Sequence, residues 1–444
     1  MQLALHITLP VAYLLFILWI MGRLSFFKNA PFSAGALRFA FLLKVFSGLI
    51  IYYLYTVYYP VRMEADTFKY FDDSEIMFNA LKKKPLDYFQ MLFGLNCETT
   101  YFYENYFNDM NNWVRVYENT LYNDSRIVIR INAFFRLFSL GNYHVHSLLF
   151  SFMAFVGLTA LAKLFYAYAQ SKWKVFLAVF LIPSVVFWSS GVLKEGVLLL
   201  ALGFFCVSVN KLISHKFNLN HLWIFLVCSM VLLIMKVYVF MALIPAAAGW
   251  WLSTKWNKTL LSFIVSVVFF LFGALLLGYL LPKYDLVQLL VNKQNDFVRM
   301  AQKYDINSAF EMNYLTPDIL SFAKAMPGAL LNTVTKPWLT ELKSPLFVPA
   351  FIENIGLMTL LALAMVYRNK TALQQHRFLY FVLCFTLLLF VVLGLTTPVI
   401  GAMVRYKIPA LPFFCMGILM LFNHEKLPSF LQKNKLITWI KLRL

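Results

Sequence analysis

One short acidic segment has residue types and a spacing that suit general base catalysis. The sequence EADTFKYFDDSE, residues 64–75, follows a long apolar run. In an α-helix, Asp66, Tyr70 and Asp73 would share one face, whereas Asp72 would point away. A carboxylate at the membrane edge can accept a proton from a hydroxyl nucleophile. The alternative interpretation is a solvated helix start, since acidic residues favour the first turn of a helix.

Basic residues recur within otherwise apolar sequence. A charge beside apolar surface is costly without a partner, and each of these residues taken singly fits a snorkelling or ion-paired side chain. Taken together they predict a site for a phosphate or pyrophosphate group. Glu341 and Glu353 are candidates to position these cations, and Glu195 is a further supporting residue. The cations are Lys194 in FWSSGVLKEG, Lys236 in MKVYVF, Lys336 in VTKPWLTE, and Arg405 with Lys407 in GAMVRYKIPALP.

The composition indicates which elements must position these groups. Hydrophobic residues make up 61% of the 444 residues and charged residues 13%, which is typical of multi-span membrane proteins. Apolar runs of about 20 residues predict an all-α, polytopic membrane helix bundle with about eleven spans, forming one transmembrane domain over residues 1–444. The predicted spans begin near Leu3, Leu37, His144, Val175, Lys194, Leu222, Val237, Thr259, Leu346, Phe378 and Ile408.

Several segments depart from simple spans. Residues 60–143 and 282–345 are predicted to be large, partly helical outer loops, and the first carries the candidate catalytic acids. In the second, Thr316 is the predicted cap of a helix with Pro317 in its first turn. The apolar stretches 175–209 and 222–251 are predicted to break, at Pro183 with the following Ser-Ser-Gly group and at Lys236. Residues 424–444 form a basic tail that we expect on the inner surface.

The distribution of charge predicts orientation and excludes some classes of protein. Placing the N-terminus outside puts almost all of the 20 acidic residues on the outer side, with Glu425 the acid of the inner segments. The net charge of +19 does not indicate nucleic acid binding, because the basic residues form no patch with interleaved aromatics. The five cysteines form no disulfide framework or metal-binding spacing. No cofactor is therefore predicted, although a divalent metal remains compatible with the sequence.

Several of these motifs together resemble known membrane proteins. The pair Asp66 and Tyr70, spaced as Asp-x-x-x-Tyr in the first large outer loop, resembles the GT-C class of membrane glycosyltransferases. The segments PSVVFWSSGVLKEG, TKPWLTE followed by Glu353, and VRYKIPALPFF resemble uncharacterised proteins of bacterial surface-polysaccharide clusters. The resemblance rests on four short segments, and their order along the chain carries more weight than any one of them.

The resemblance implies a GT-C-like fold in the bacterial inner membrane, and the distribution of charge places the C-terminus in the cytoplasm. It implies a polyprenyl-phosphate- or polyprenyl-pyrophosphate-linked sugar as donor and a glycan or lipid as acceptor. Asp66 would be the general base, with Asp73 or Asp72 as competing acid. The departing phosphate would be held by Lys194, Lys236, Lys336 and Arg405. Two other classes stay open, a transporter or flippase for lipid-linked saccharides and a non-catalytic partner of the polysaccharide machinery.

Overall fold

The computed structural model describes residues 2–58, 61–114, 123–214, 218–303, 306, 308–369 and 377–428. Within these ranges the secondary structure is helical, and the β-type pairing consists of isolated bridges, from Ala309 to Val399 and from Arg368 to Phe422. The predicted all-α fold class is therefore confirmed. Residues 429–444 of the predicted basic tail lie outside the described residues.

The helices of the N-terminal half include both long spans and short connecting elements. A π-helical turn, Leu54–Tyr58, extends α3, and 3₁₀ turns occur at Arg62–Glu64 and Phe107–Asp109. The α-helices are α1 (Gln2–Arg23), α2 (Ser25–Lys28), α3 (Ala34–Tyr53), α4 (Asp66–Lys83), α5 (Pro85–Phe93), α6 (Thr100–Asn105), α7 (Ser125–Ser139), α8 (Tyr143–Ala169), α9 (Lys172–Phe180), α10 (Pro183–Trp188) and α11 (Lys194–Ser214).

The C-terminal half has the same character. Short 3₁₀ turns occur at Pro282–Tyr284, Leu339–Glu341, Pro345–Phe347 and His424–Lys426. The α-helices are α12 (Leu219–Met235), α13 (Val237–Trp256), α14 (Thr259–Leu280), α15 (Leu286–Lys303), α16 (Ile319–Thr335), α17 (Val348–Val366), α18 (Arg377–Thr396), α19 (Ile400–Tyr406) and α20 (Leu411–Leu421).

Eight helices in the described ranges are long and apolar enough to cross a membrane. The chain is therefore a helical integral membrane protein, as its composition predicts. The helices α19 and α20, bent by 67° at the break between them, together reach the length of a further span. The other two predicted spans correspond to α12, which has 17 residues, and to the short helices α9 and α10. The count of eleven spans stays a prediction.

The breaks in the two long apolar stretches occur where the sequence predicts them. The chain leaves α-helix before Pro183 and again at the Ser-Ser-Gly group, where Gly191 adopts a φ of +79° that favours glycine. Lys236 is the non-helical residue between α12 and α13. The predicted cap at Thr316 is wrong, because the Asp318 side chain accepts the hydrogen bond from Ser321 N and the helix begins at Ile319.

The described chain divides into two compact units, while the single transmembrane domain stays a prediction. The first unit contains the acidic segment, Lys194 and Lys236, and the second contains Lys336, Arg405 and Lys407. The first unit comprises Met1–Leu161, Val186–Phe205 and Val227–Lys236, and the second comprises Ala162–Val185, Cys206–Leu226 and Val237–Leu444.

In the first unit, α8 and the start of α11 approach each other closely. A Cβ atom on Gly157 would collide with the backbone of Leu199, and one on Gly203 would collide with the backbone of Gly157. Small residues at such crossings allow membrane helices to pack backbone against backbone. This contact fixes α11, the helix whose first residue is Lys194.

Candidate functional site

Two lysines of the first unit bind the same carboxylate. Lys194 Nζ lies 2.6 Å from Asp124 Oδ1, and Lys236 Nζ lies 3.6 Å from Asp124 Oδ2. The three side chains are largely buried, with 5% of Lys194 exposed and 13% of each of the other two. We call these three residues the two-lysine site. The ammonium groups of Lys194 and Lys236 thus both contact one anionic group, the Asp124 carboxylate.

Helix boundaries place all three members of the two-lysine site. Asp124 directly precedes α7, Lys194 is the first residue of α11, and Lys236 separates α12 from α13. The positive end of the α7 dipole stabilises the Asp124 carboxylate, whereas the same end of α11 disfavours the Lys194 ammonium. The ion pair with Asp124 offsets that unfavourable position.

The backbone that carries Lys194 is held by buried polar groups of the same unit. Lys44, a buried residue of α3, donates from Nζ to Ser189 O at 2.8 Å and to Ser189 Oγ at 2.5 Å. Gly191 N donates to Ser151 Oγ at 3.1 Å. These bonds satisfy backbone groups of the Ser-Ser-Gly break that have no helical partners, which a membrane-embedded break requires.

The acidic segment forms α4, and one of its faces reaches the two-lysine site. Tyr70 is fully buried, and the centre of its ring lies 5.5 Å from Lys194 Nζ. Asp66 is the first residue of the helix and half-buried. Since Asp66 precedes Tyr70 by about one helical turn, its side chain starts from the same face. The predicted helix and its Asp66–Tyr70 face are therefore confirmed.

Asp73 is fully buried and uses both of its carboxylate oxygens. Oδ1 accepts from Asn111 N at 2.7 Å and from Asn111 Nδ2 at 3.1 Å, and Oδ2 accepts from Asn112 N at 2.8 Å. Burial raises the pKa of Asp73, while these hydrogen bonds oppose that shift. A carboxylate that already anchors a backbone segment is suited to a structural role more than to proton transfer from a substrate.

Asp72 lies in a surface ion pair. Its two oxygens accept from Arg62 Nε at 2.8 Å and from the second guanidinium nitrogen at 2.6 Å. About half of the Arg62 side chain is exposed. Asp72 therefore serves a surface ion pair, and the assignment of the general base to Asp66 stays a prediction.

In the second unit, Lys336 has a carboxylate partner nearby in sequence. Lys336 Nζ donates to Glu341 Oε1, and the other oxygen of Glu341 accepts from Trp338 N at 2.7 Å. The Lys336 ammonium also lies 4.4 Å from the centre of the Phe310 ring. Glu341 therefore holds both ends of the turn that follows α16. This arrangement gives Lys336 a role within the fold.

Asn354 connects this turn to Lys407. Its Oδ1 accepts from Lys407 Nζ at 2.8 Å, and its Nδ2 donates to Lys336 O at 2.5 Å. Lys407 is 1% exposed. The neighbouring Glu353 accepts from Ser184 N at 2.6 Å through Oε2, while its buried Oε1 has no hydrogen-bond partner among the described residues. Lys336, Glu341 and Lys407 thus belong to one polar network of the second unit, joined by Asn354, and Glu353 binds the start of α10.

The remaining predicted site residues have simpler placements. Glu195 is buried directly beside Lys194 at the start of α11. Arg405 is half-buried in the last turn of α19. The convergence of Lys194, Lys236, Lys336 and Arg405 on a single phosphate stays a prediction.

Sequence reasoning missed Asp124, Asn354 and Lys44. Asp124 had a usable signal, because an acid directly before an amphipathic helix pattern is a common helix start. Its pairing with Lys194, 70 residues away, has no signal in one sequence. Asn354 and Lys44 lie within apolar runs, where a polar residue inside a span is by default a candidate functional residue.

Comparisons with known proteins identified no relative of this chain. No family model, no curated protein and no solved structure matches this chain.

Proposed function

We propose that this protein is a membrane glycosyltransferase of surface-polysaccharide or glycan assembly in the bacterial inner membrane. Its donor is a sugar linked to a polyprenyl phosphate or pyrophosphate. The observation that carries the proposal is the Asp124 carboxylate bound by both Lys194 and Lys236. Both ammonium groups lie close enough to bind one anionic group, here the carboxylate of Asp124. A lipid phosphate is also an oxygen-bearing anion, and it carries more negative charge.

The two ammonium groups supply what the leaving group needs. As the bond from the anomeric carbon to the phosphate oxygen breaks, the oxygen keeps the electron pair and negative charge grows on the phosphate. Positive groups fixed beside that charge stabilise the transition state more than the ground state. Partial burial strengthens the interaction, because the effective dielectric constant is lower than in water.

Asp66 supports the second half of the reaction. The acceptor hydroxyl gives its proton to the Asp66 carboxylate while its oxygen forms the new bond to the anomeric carbon. Asp66 lies in the first turn of α4, where the positive end of the helix dipole attracts negative charge. Tyr70 lies on the same helix face as Asp66, and its ring contacts the Lys194 ammonium. The proposed base and the proposed phosphate site are therefore linked through Tyr70.

Replacing Asp66 by Asn tests the proposal directly. The amide keeps the shape of the side chain but cannot accept the proton, so glycosyl transfer should fall about 10²–10⁴-fold. The measurement is transfer from a polyprenyl-phosphate-linked sugar in proteoliposomes, at equal amounts of folded protein. Asp72→Asn, which changes a surface ion pair on the same helix, is the matched control and should retain activity.

Two outcomes would contradict the enzyme proposal. One is a wild-type rate of transfer by Asp66→Asn. The other is movement of a lipid-linked sugar across the vesicle membrane with no new glycosidic bond, which would identify a transporter.

A further inference from the structure

The second unit contains a polar cavity that none of the ionic groups above lines. Its volume is about 340 Å³, and Glu311, Asn313 and Asn332 are among the residues lining it. Small-molecule sites typically measure roughly 300–1,000 Å³, so this cavity suits a ligand of the smallest class. A hollow with this many polar groups is unexpected in a chain that is 61% hydrophobic.

A single buried side chain fixes one wall of the cavity. Gln294 of α15 is 1% exposed and donates from Nε2 to Asn313 O at 3.1 Å and to Leu395 O at 2.9 Å. Its Oε1 accepts from Leu315 N at 2.8 Å. Gln294 therefore ties α15, the segment before α16 and the end of α18 together. The wall is preformed, so a ligand need not order it on binding.

A further part of the lining is a close crossing of α16 and α18. A Cβ atom on Gly394 would collide with the carbonyl of Ala329, so the two backbones are in contact there. Thr333 strengthens the crossing by donating from Oγ1 to Phe390 O at 2.9 Å. Gly328, which also lines the cavity, differs from Gly394, because a Cβ at Gly328 would meet nothing within 4 Å. Gly328 is exposed, so the cavity is open on the Gly328 side of the crossing.

The lining selects the chemical class of the ligand. Amide side chains both donate and accept hydrogen bonds, which matches hydroxyl groups that do the same. Met312 and Leu395 add apolar surface for the C–H faces of a ring. Among the described residues that line the cavity there is no lysine or arginine to attract an anion, and Glu311 disfavours one.

We propose that this cavity binds a neutral, hydroxyl-rich ligand of monosaccharide size. The inference uses no residue of the two-lysine site and no catalytic step. Sugar binding and glycosyl transfer can therefore fail independently, and a binding measurement separates them.

The test fills the cavity without disturbing its walls. The full chain is placed in nanodiscs free of sugar-based detergent, and saturation-transfer NMR measures binding of glucose, galactose, N-acetylglucosamine and glucuronate. Gly328→Trp places an indole in the open space and should abolish the signal of every neutral sugar that binds the wild-type chain. Gly356→Trp is the matched control, because Gly356 is also helical, has nothing within 4 Å of its Cβ and does not line the cavity.

A second variant tests selectivity and does not depend on a bulky substitution. Glu311→Gln removes the negative charge with little change in shape, so the affinity for glucuronate relative to glucose should rise about tenfold. The inference is overturned if none of the neutral sugars binds the wild-type chain, or if Gly328→Trp binds them as well as Gly356→Trp does. Calcium binding that Glu311→Gln abolishes, without sugar binding, would instead identify a cation site.

Discussion

The ionic groups of the first unit and those of the second are of the same residue types but are partnered differently. In the first unit, Lys194 and Lys236 share the carboxylate of Asp124. In the second, Lys336 has Glu341, and Lys407 has Asn354. A lysine that has a separate acceptor within the protein stabilises the fold. Two lysines that share one carboxylate can also bind an external anion in its place. We therefore interpret the first pair as ligand-binding and the second pair as structural.

The largest expected effect concerns stability in the second unit. Lys407→Met should lower the free energy of unfolding by about 3–5 kcal/mol, because it removes one partner of a fully buried polar network. Thermal or denaturant unfolding in detergent micelles measures the change. Lys194→Met is the comparison variant, and it should cost less because Asp124 keeps the ion pair with Lys236. If both variants lower the free energy of unfolding equally, the proposed difference in how the two units pair their lysines is wrong.

An intermediate effect concerns phosphate affinity in the first unit. Lys236→Met should weaken binding of a polyprenyl phosphate about 10–100-fold, since a charged hydrogen bond contributes about 1.5–3 kcal/mol. Lys336→Met is the matched control, because its ammonium is bound to Glu341 within the second unit. Binding is measured by titration of the lipid into proteoliposomes or nanodiscs. If Lys336→Met weakens binding as much as Lys236→Met, both lysines contact the phosphate and the comparison fails.

The smallest expected effect has the opposite sign. Asp124→Asn removes the negative charge that occupies the two-lysine site, so a polyprenyl phosphate should bind more tightly, by about fivefold or roughly 1 kcal/mol. The same titration measures it, with Asp72→Asn as a control for loss of one acid elsewhere. Weaker binding by Asp124→Asn would mean that this carboxylate positions the lysines and does not stand where the phosphate binds.

Local features of the fold followed from the sequence, because short-range physics determines them. Apolar run length predicted the long helices, and residue spacing predicted α4 with Asp66 and Tyr70 on one face. Proline and the Ser-Ser-Gly group predicted the break before Lys194. The cap of α16 was misplaced by two residues, since Thr316 and Asp318 are both good caps and only the observed hydrogen bond distinguishes them.

Partnerships between distant residues could not be predicted. The sequence identified Lys194 and Lys236 as costly charges that need a partner, but many acids in the outer loops were equally available. The choice of Asp124 depends on how α7 and α11 are brought together, which is a property of tertiary packing. The same holds for Asn354, whose bonds to Lys407 and to the Lys336 carbonyl depend on the turn after α16.

The hydrogen bonds from Lys44 to Ser189 bear on how Lys194 would take part in the proposed phosphate site. Because Lys44 and Ser151 hold the two sides of the Ser-Ser-Gly break, the attachment point of Lys194 is stationary before any ligand arrives. Under the proposed function, Lys44 would therefore contribute to phosphate binding indirectly, by holding the backbone that carries Lys194.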